Sequence, residues 1–283
     1  MKVKVSVIVP AKDEAGNIGR CLGSVSWADE IIVVDSGSAD GTGRIAAGLG
    51  ARVAQFEYKG GWPKKKNWAL ENLTLRNEWV LFLDADETMP AEAEGEIREI
   101  VEKAGEHDGY WINRRFQFLG KWMKHAYYPN WNLRLFRKGK GRFEKISGAD
   151  TASGDVEIHE HVVVNGTMGR MRCEMEHYAF PSIEAFVEKH NRYSNWEARV
   201  ARDAMLAGSA EAIGDVNVAR RRALKQWSHR LPLRPWLRFL YVYVWQRGFL
   251  DGWEGFYFAR LHAFYEFLCV AKGYDLRKEG KRK

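Results

Sequence analysis

The sequence predicts an α/β fold built on a doubly wound, mostly parallel sheet, and three observations carry that prediction. Across residues 1–90, short apolar runs alternate with segments of helical period. Runs such as Ile31-Ile32-Val33-Val34 are apolar throughout, as strands covered on both faces require. The links between them are short and rich in Gly, Pro, Asp and Ser, which supply turn geometry.

Residues 3–9 read as the first strand; their apolar positions alternate with polar ones and are too short a run for the core of a signal peptide. Residues 17–27 follow with helical spacing, placing Ile18, Leu22 and Val25 on one face. A strand at 31–34 precedes a helix at 40–49 that Gly50 ends. Residues 51–56 are the next strand, 64–73 a helix, and 78–83 the strand that delivers Asp84; a helix is expected at 91–103. Past Gly109 the pattern changes to aromatic-rich strands broken by glycine, at 110–119, 131–136 and 156–164. From Pro181 the chain turns helical to about Lys272, and 277–283 is expected to fray.

The chain has 283 residues, 46% apolar and 29% charged, enough for one large domain or a domain with an appendage. Cys21, Cys173 and Cys269 are far apart and show neither disulfide nor metal spacing, which fits a reduced cytosolic setting. Charge is unevenly placed. Residues 217–283 hold 15 Lys/Arg against 5 Asp/Glu, while the whole chain is only +7, so the preceding part is slightly acidic. Much of the aromatic content (12 Trp, 11 Tyr, 14 Phe) crowds the same region, with Trp236, Trp245 and Trp253 interleaved with Arg234, Arg238, Arg247 and Arg260. Charges and glycines interrupt its apolar runs well short of the ~20 residues a membrane span needs. Two readings stand: helices packed on a core with arginines in solvent, or an amphipathic surface lying in a membrane interface. No recognised nucleic-acid module accompanies the basic stretch, and an acidic partner region suits a phosphate backbone poorly, so nucleic acid is not an expected ligand.

Four segments fall where the predicted strands end, which is where ligands of open α/β sheets bind. They are Pro10-Ala11-Lys12-Asp13-Glu14, Asp35-Ser36-Gly37-Ser38, Lys64-Lys65-Lys66-Asn67 and Asp84-Ala85-Asp86-Glu87. A carboxylate at a strand end accepts paired hydrogen bonds from a ribose diol or a base N–H, and small residues beside it admit a planar base. Lysines balance a diphosphate, and two carboxylates one residue apart hold Mg²⁺ or Mn²⁺, which takes its other oxygens from water and phosphate. Together these are the parts of a nucleoside-diphosphate site. A dinucleotide-dependent oxidoreductase is disfavoured because Gly-x-Gly-x-x-Gly does not follow the first strand.

In this order the motifs resemble those of the inverting family 2 glycosyltransferases, most nearly the lipopolysaccharide-core β-1,4-glucosyltransferase branch. Leu133-Arg134-Leu135-Phe136-Arg137, Ile158-His159-Glu160 and Gly248-Phe249-Leu250-Asp251-Gly252 extend the resemblance over nearly the whole chain. It implies a GT-A fold, with residues 1–108 as the nucleotide-sugar-binding half, 109–180 as a β-rich acceptor half and 181–283 as a helical, basic, aromatic region. It also implies a UDP-sugar donor, UDP-glucose above all, and a lipid-linked or lipopolysaccharide-core glycan acceptor. The enzyme would then work on the inner face of the cytoplasmic membrane, held through its C-terminal region. By position, Asp13, Glu14 and Asp35 would hold base and ribose, with Pro10, Ala11 and Gly37 lining the pocket. Lys66 and Asn67 would sit near the donor; Asp84, Ala85 and Asp86 would meet nucleotide and metal, Asp86 as the direct ligand. An inverting displacement needs one base opposite the leaving group, and the resemblance assigns it to Glu160.

Plainer roles stand beside these. Asp13 and Glu14 could serve a helix start, Asp35 an Asx-turn, and Lys64 to Lys66 a solvated face. His159 and His161 could be structural, His177 could reach a metal, and Arg134 and Arg137 could form strand-face ion pairs or meet phosphates. Asn130 departs from relatives that carry an acid after Tyr-Pro, which favours Glu160 as the base. Transfer to a polyprenyl phosphate, which needs no base, and a non-catalytic lipid binder on a degenerate fold are the alternatives.

Overall fold

The computed structural model describes residues 1–103, 106–144, 161–207 and 233–279. Its chain packs into two units: one from described residues 1–117, 128–144 and 161–179, the other from 118–127, 180–207 and 233–279.

The first unit is a mixed sheet of order β3-β2-β1-β4-β8-β6-β11-β5. Strands β1 (Val3–Ala11), β2 (Ala28–Asp35), β3 (Arg52–Gln55) and β4 (Trp79–Phe82) pair in parallel. Their order reverses at β1, between β2 on one side and β4 on the other, which opens a crevice at the carboxyl ends. Helices α1 (Ala15–Ser24), α2 (Thr42–Gly48), α3 (Lys65–Asn72) and α4 (Glu92–Glu102) connect the strands, and α4 carries Glu92 and Glu94 in its first turn, where the helix dipole favours them. The period-2 pattern of β1 explains its two faces. Val3, Val5, Val7 and Val9 pack with Ile18, Cys21 and Leu22 of α1 and Ile97 of α4, while Ile8 packs on the other face with Phe82 and Ala69 of α3. Each fully buried Val, Leu or Ile contributes about 1.5–3 kcal/mol, so two cores fix the strand ends from both sides.

Antiparallel strands continue the sheet. β4 pairs with β8 (Trp131–Arg137), which pairs with β6 (Gly109–Phe118); β11 (Met168–Phe180) pairs with the short β5 (Glu87–Thr88). β9 (Gly141–Phe143) and β10 (Val162–Val164) form a separate ribbon. The sequence pattern did not mark β11. Its alternation is real, with Met171 and Met175 buried, but Met, Cys, Gly and charges fill it instead of β-branched residues. Of the strand expected at 156–164, residues up to 160 lie outside the described residues. The helix expected at 17–27 begins earlier, at Ala15, where Thr42 and Asp40 accept the Glu14 and Ala15 N–H groups, and ends at Ser24.

The second unit holds β7 (Lys121–Trp122), α5 (Ile183–Ala207), α6 (Arg234–Leu240) and α7 (Gly252–Glu279), with a π turn at Tyr241–Trp245 and a 3₁₀ turn at Gly248–Asp251 between the last two helices. The helix expected to end near Lys272 continues to Glu279. Its core is aromatic: Phe118, Phe186, His190, Phe258 and His262 stack, with Phe186 and His190 rings 3.7 Å apart. Arg234 pairs with Glu266 at 2.7 Å, both nearly buried. No helix among the described residues is long and apolar enough to cross a membrane.

The Gly-Phe-Leu-Asp-Gly motif has a packing explanation. A side chain on Gly248 would meet the Val242 carbonyl at 2.7 Å, and one on Gly255 would meet the Gly248 carbonyl. Asp251, 2% exposed, accepts the backbone N–H groups of Lys124, His125 and Ala126 at 3.1, 3.0 and 2.8 Å. Asp251→Ala leaves those donors without their acceptor; at ~1 kcal/mol or more each, urea unfolding followed by circular dichroism is expected to show a loss of about 3 kcal/mol, with Asp251→Asn in between.

Candidate functional site

The segments after β1 and β2 are knitted together at the carboxyl end of the sheet. Ala11 pairs in register with Asp35, and Asp35 with Gln55, so the three strand ends lie side by side. Asp35 is 3% exposed; one oxygen accepts the Ser38 N–H at 3.2 Å and hydroxyl at 2.5 Å, and the other accepts Gln55 Nε2 at 3.3 Å. Ser38 in turn accepts the Asp13 N–H at 2.9 Å, and the Asp13 carboxylate accepts the Ala39 N–H at 2.8 Å. Asp13 adopts a left-handed backbone, φ 55°, and Gly37 does so at φ 70°. Glu14 donates its N–H to Thr42 and accepts Asn17 Nδ2, both at 2.8 Å. A side chain on Gly43 would come within 3.2 Å of the Asp35 carboxylate, so a small residue is needed there.

Across the switch point, β4 ends and Asp84, Ala85 and Asp86 follow. Leu83 N–H donates to Ile8 O at 3.1 Å, which keeps Asp84 beside Pro10 and Ala11. α3 supplies lysines of different function. Lys65 is buried and donates to Ala11 O at 3.0 Å, pinning the helix to β1. Lys66 turns to the site, its Nζ 3.5 Å from Asp84 Oδ1 and 5.1 Å from the Phe143 ring. Asn67 uses both ends of its amide on the Phe143 backbone, at 3.0 Å each, and holds β9 against α3. Lys64 meets the Tyr58 hydroxyl.

Behind Asp84 stands a buried charge network that sequence reasoning resolved only in part. Arg134 of β8 reaches Asp84 Oδ2 at 2.5 Å and Glu87 Oε1 at 2.6 Å. Arg114 of β6 reaches the same Glu87 oxygen at 3.0 Å, and the second Glu87 oxygen accepts the Asp84 N–H at 2.9 Å. Glu87 is fully buried, whereas the Asp84 side chain keeps 31% of its surface open. Burial works against ionisation of Asp84, but the positive charges of Arg134 and Lys66 prevail and hold its carboxyl well below the usual carboxylate range. Burial likewise disfavours charge on Arg134, and Asp84 and Glu87 outweigh it and raise its pKa. The open question of Arg134 and Arg137 therefore divides: Arg134 is a buried ion pair at the site, and Arg137 is a strand-face residue near Glu78 and Asp108, over the Trp79 ring. An arginine at an alternating position between Leu133 and Leu135 was the signal for the first.

Asp86 stands 3.3 Å from His177 Nε2, and its carbonyl accepts the Tyr178 N–H at 2.9 Å. His177 is nearly buried, and its Nδ1 has no hydrogen-bond partner among the described residues. Among those residues no group of three or more His, Cys, Asp or Glu forms a complete metal cage. The donor set nevertheless fits Mg²⁺ or Mn²⁺, which needs one or two carboxylates and draws the rest from phosphate and water.

A further polar network lies on β6 and β11. Glu174 accepts Tyr128 hydroxyl at 2.7 Å and Asn113 Nδ2 at 2.5 Å on one oxygen, and Arg115 Nε at 2.7 Å on the other. Burial raises its pKa, but these donors outweigh it and leave it lowered. Asn113 Oδ1 accepts the Asn130 N–H at 2.8 Å, so the residue that departs from the expected acid is fixed by this network. His159 and Glu160 lie outside the described residues; His161, which is described, begins the stretch leading into β10.

Loss of Arg134 strands the fully buried Glu87 with one cation instead of two, and breaking a buried ion pair costs about 3–5 kcal/mol. Arg134→Met is expected to lose that much at pH 7. A carboxyl depressed below its unfolded value near 3.9 stabilises the fold above that pH, and the contribution drains away as the pH falls further. Without Arg134 the carboxyl titrates higher than in wild type, so the difference between wild type and Arg134→Met should be greatest at neutral pH and shrink as the pH falls through the carboxylate range, as read by urea unfolding across pH.

Known proteins carry the same pattern. The glycosyl transferase family 2 profile matches residues 6–155. An uncharacterized glycosyltransferase of Rickettsia prowazekii is 30% identical over 277 residues, spanning 96% of this chain and 87% of its own. The lipopolysaccharide core biosynthesis glycosyltransferase LpsC of Rhizobium meliloti is 27% identical over 285 residues, spanning 97% and 93%. In fold, a mannosyltransferase of Pyrobaculum calidifontis, solved in complex with GDP-Man and Mn²⁺, aligns over 97% of this chain and 88% of its own, with a TM-score of 0.51 at 14% identity.

Proposed function

The chain belongs to glycosyl transferase family 2, with the GT-A α/β fold, and we propose that it transfers a sugar, glucose from UDP-glucose, with inversion to a lipid-linked or lipopolysaccharide-core glycan at the inner face of the cytoplasmic membrane. One observation carries this reading: Asp35, Lys66, Asp84 and Asp86 gather at the carboxyl ends of adjacent parallel strands, around the switch point of the sheet. LpsC, a lipopolysaccharide core glycosyltransferase by name, is similar from end to end and supports the acceptor class.

Asp13, Glu14 and Asp35 bind the base and ribose in this account, in a pocket that Pro10, Ala11 and Gly37 leave open. The hydrogen bonds among Asp13, Ser38 and Asp35 set the two loops before the donor arrives, which lowers the ordering cost of binding. Lys66 faces the diphosphate, and Asn67 keeps α3 and β9 in place behind it. Asp86, steadied by His177, and Asp84 would hold Mg²⁺ or Mn²⁺, as a GT-A relative solved with GDP-Man and Mn²⁺ suggests. A bound divalent ion supplies Lewis-acid neutralisation of the leaving diphosphate. Arg134 keeps Asp84 ionised and aimed.

In the transfer, the acceptor hydroxyl oxygen forms a bond to the anomeric carbon as the bond from that carbon to the diphosphate oxygen breaks. The hydroxyl proton passes to the Glu160 carboxylate. Glu174 is less suited to that task, because both its oxygens are engaged by Tyr128, Asn113 and Arg115.

Glu160→Gln is expected to keep UDP affinity within about twofold and to lower transfer to a membrane-borne acceptor by about 10²-fold or more, the scale of general-base catalysis. Radiolabelled sugar transfer beside calorimetric UDP binding checks both. Undiminished transfer would overturn the base and favour a polyprenyl phosphate acceptor, already ionised. Loss of UDP binding as well would place Glu160 in the donor pocket instead.

A further inference from the structure

The second unit exposes an apolar surface that its own packing leaves uncovered among the described residues. Trp236, Trp245 and Trp253 are 61%, 81% and 72% exposed, and Leu240, Val244 and Leu250 are each more than half exposed. Single exposed apolar side chains are ordinary on protein surfaces, whereas a contiguous run marks an interaction site. These are not scattered. The rings of Phe239 and Tyr243, Tyr243 and Phe249, Tyr243 and Phe256, and Phe256 and Trp253 lie 5.2, 6.2, 5.7 and 6.1 Å apart, so aromatic contacts link α6, the π turn, the 3₁₀ turn and the start of α7. Its base is stiff. Gly248 and Gly255 let the backbones touch, and the buried Asp251 carboxylate anchors the 3₁₀ turn.

Charge favours an anionic cover. Arg238 lies 5.9 Å from the Tyr241 ring and Arg260 5.8 Å from the Phe239 ring, and Arg247 is exposed beside Gly248. Arg260 is exposed too, and of the ten surplus positive charges in the sequence 217–283, two fall within 233–279. Protein–protein contacts are also enriched in aromatics and arginine, so a second copy of the chain is the competing occupant. A bilayer interface favours both elements at once: Trp and Tyr at headgroup depth, aliphatic side chains beyond them, and cations on anionic phosphates. Since none of the described helices can span a bilayer, contact is interfacial.

We propose that this surface docks the protein onto a bilayer of anionic lipid, with Trp236, Trp245 and Trp253 entering the interface and Arg247 and Arg260 meeting headgroup phosphates. The proposal names the docking surface for the membrane-borne acceptor proposed above, and rests on that part of the reading but not on the transfer chemistry.

Flotation of the full chain with vesicles tests it, using phosphatidylcholine alone or mixed with phosphatidylglycerol. Metal-dependent UDP binding is measured on the same proteins. Wild type is expected to float with the mixed vesicles, and Trp245→Ser/Trp253→Ser to lose about tenfold in partitioning with UDP binding unchanged. Arg247→Gln/Arg260→Gln should keep UDP binding and lose the preference for anionic vesicles. Wild type that stays unbound, or a Trp variant that floats equally, would overturn the proposal. So would a dimer, seen by light scattering, that the Trp substitutions dissolve while vesicle binding is absent. Flotation without UDP binding would leave the docking surface standing and remove the donor site.

Discussion

The guanidinium of Arg134 between Asp84 and Glu87 is the constraint on which the rest of the site depends. It binds β8 to the end of β4, and Arg114 brings β6 onto the same Glu87 oxygen. Glu87 also accepts the Asp84 N–H, so the turn after β4 is closed by a side chain that has no exposure at all. A buried pair of this kind adds little net stability compared with apolar packing, but loss of one partner is costly. Its contribution is definition of geometry. Asp84 stays charged in a half-enclosed position, where an unpaired carboxylate would be driven towards neutrality.

That geometry explains the division of labour around the crevice. Lys66, Arg114 and Arg134 stand against the carboxylates of Asp84 and Glu87. Asp86, two residues on from Asp84, has its carboxylate 3.3 Å from His177 Nε2. On the other side of β1, loops with opposite demands are linked by Ser38 and Asp13 into one surface with small residues at its centre.

Much of this was legible in the sequence because the parallel half obeys simple rules. Apolar strands, short links and strand-end carboxylates announced the sheet, and Asp35, Lys66 and Asp84 lie at strand or helix ends as expected. Residues whose roles depend on pairing across the sheet were harder. Lys65 and Lys66 are indistinguishable as letters; helix phase turns one into the core and the other towards Asp84. Asn67 looks like a ligand residue, yet its amide is engaged by Phe143, which lies far along the chain. Glu87 followed the acidic pair plainly enough, but its burial appears only when β8 and β6 deliver two arginines. Strand β11 escaped because Met, Cys and charged residues carry its alternation weakly. The aromatic C-terminal region was ambiguous between core and surface, since composition does not reveal which rings Phe186, His190 and His262 cover and which remain open.

The donor site is tested most directly by calorimetric titration of UDP with and without Mn²⁺, on wild type and Asp86→Asn. The account predicts binding at least about tenfold tighter with metal, equivalent to about 1.4 kcal/mol, with that gain lost in Asp86→Asn while the fold is retained. UDP that binds equally well without metal, or a metal gain that survives in Asp86→Asn, would contradict it.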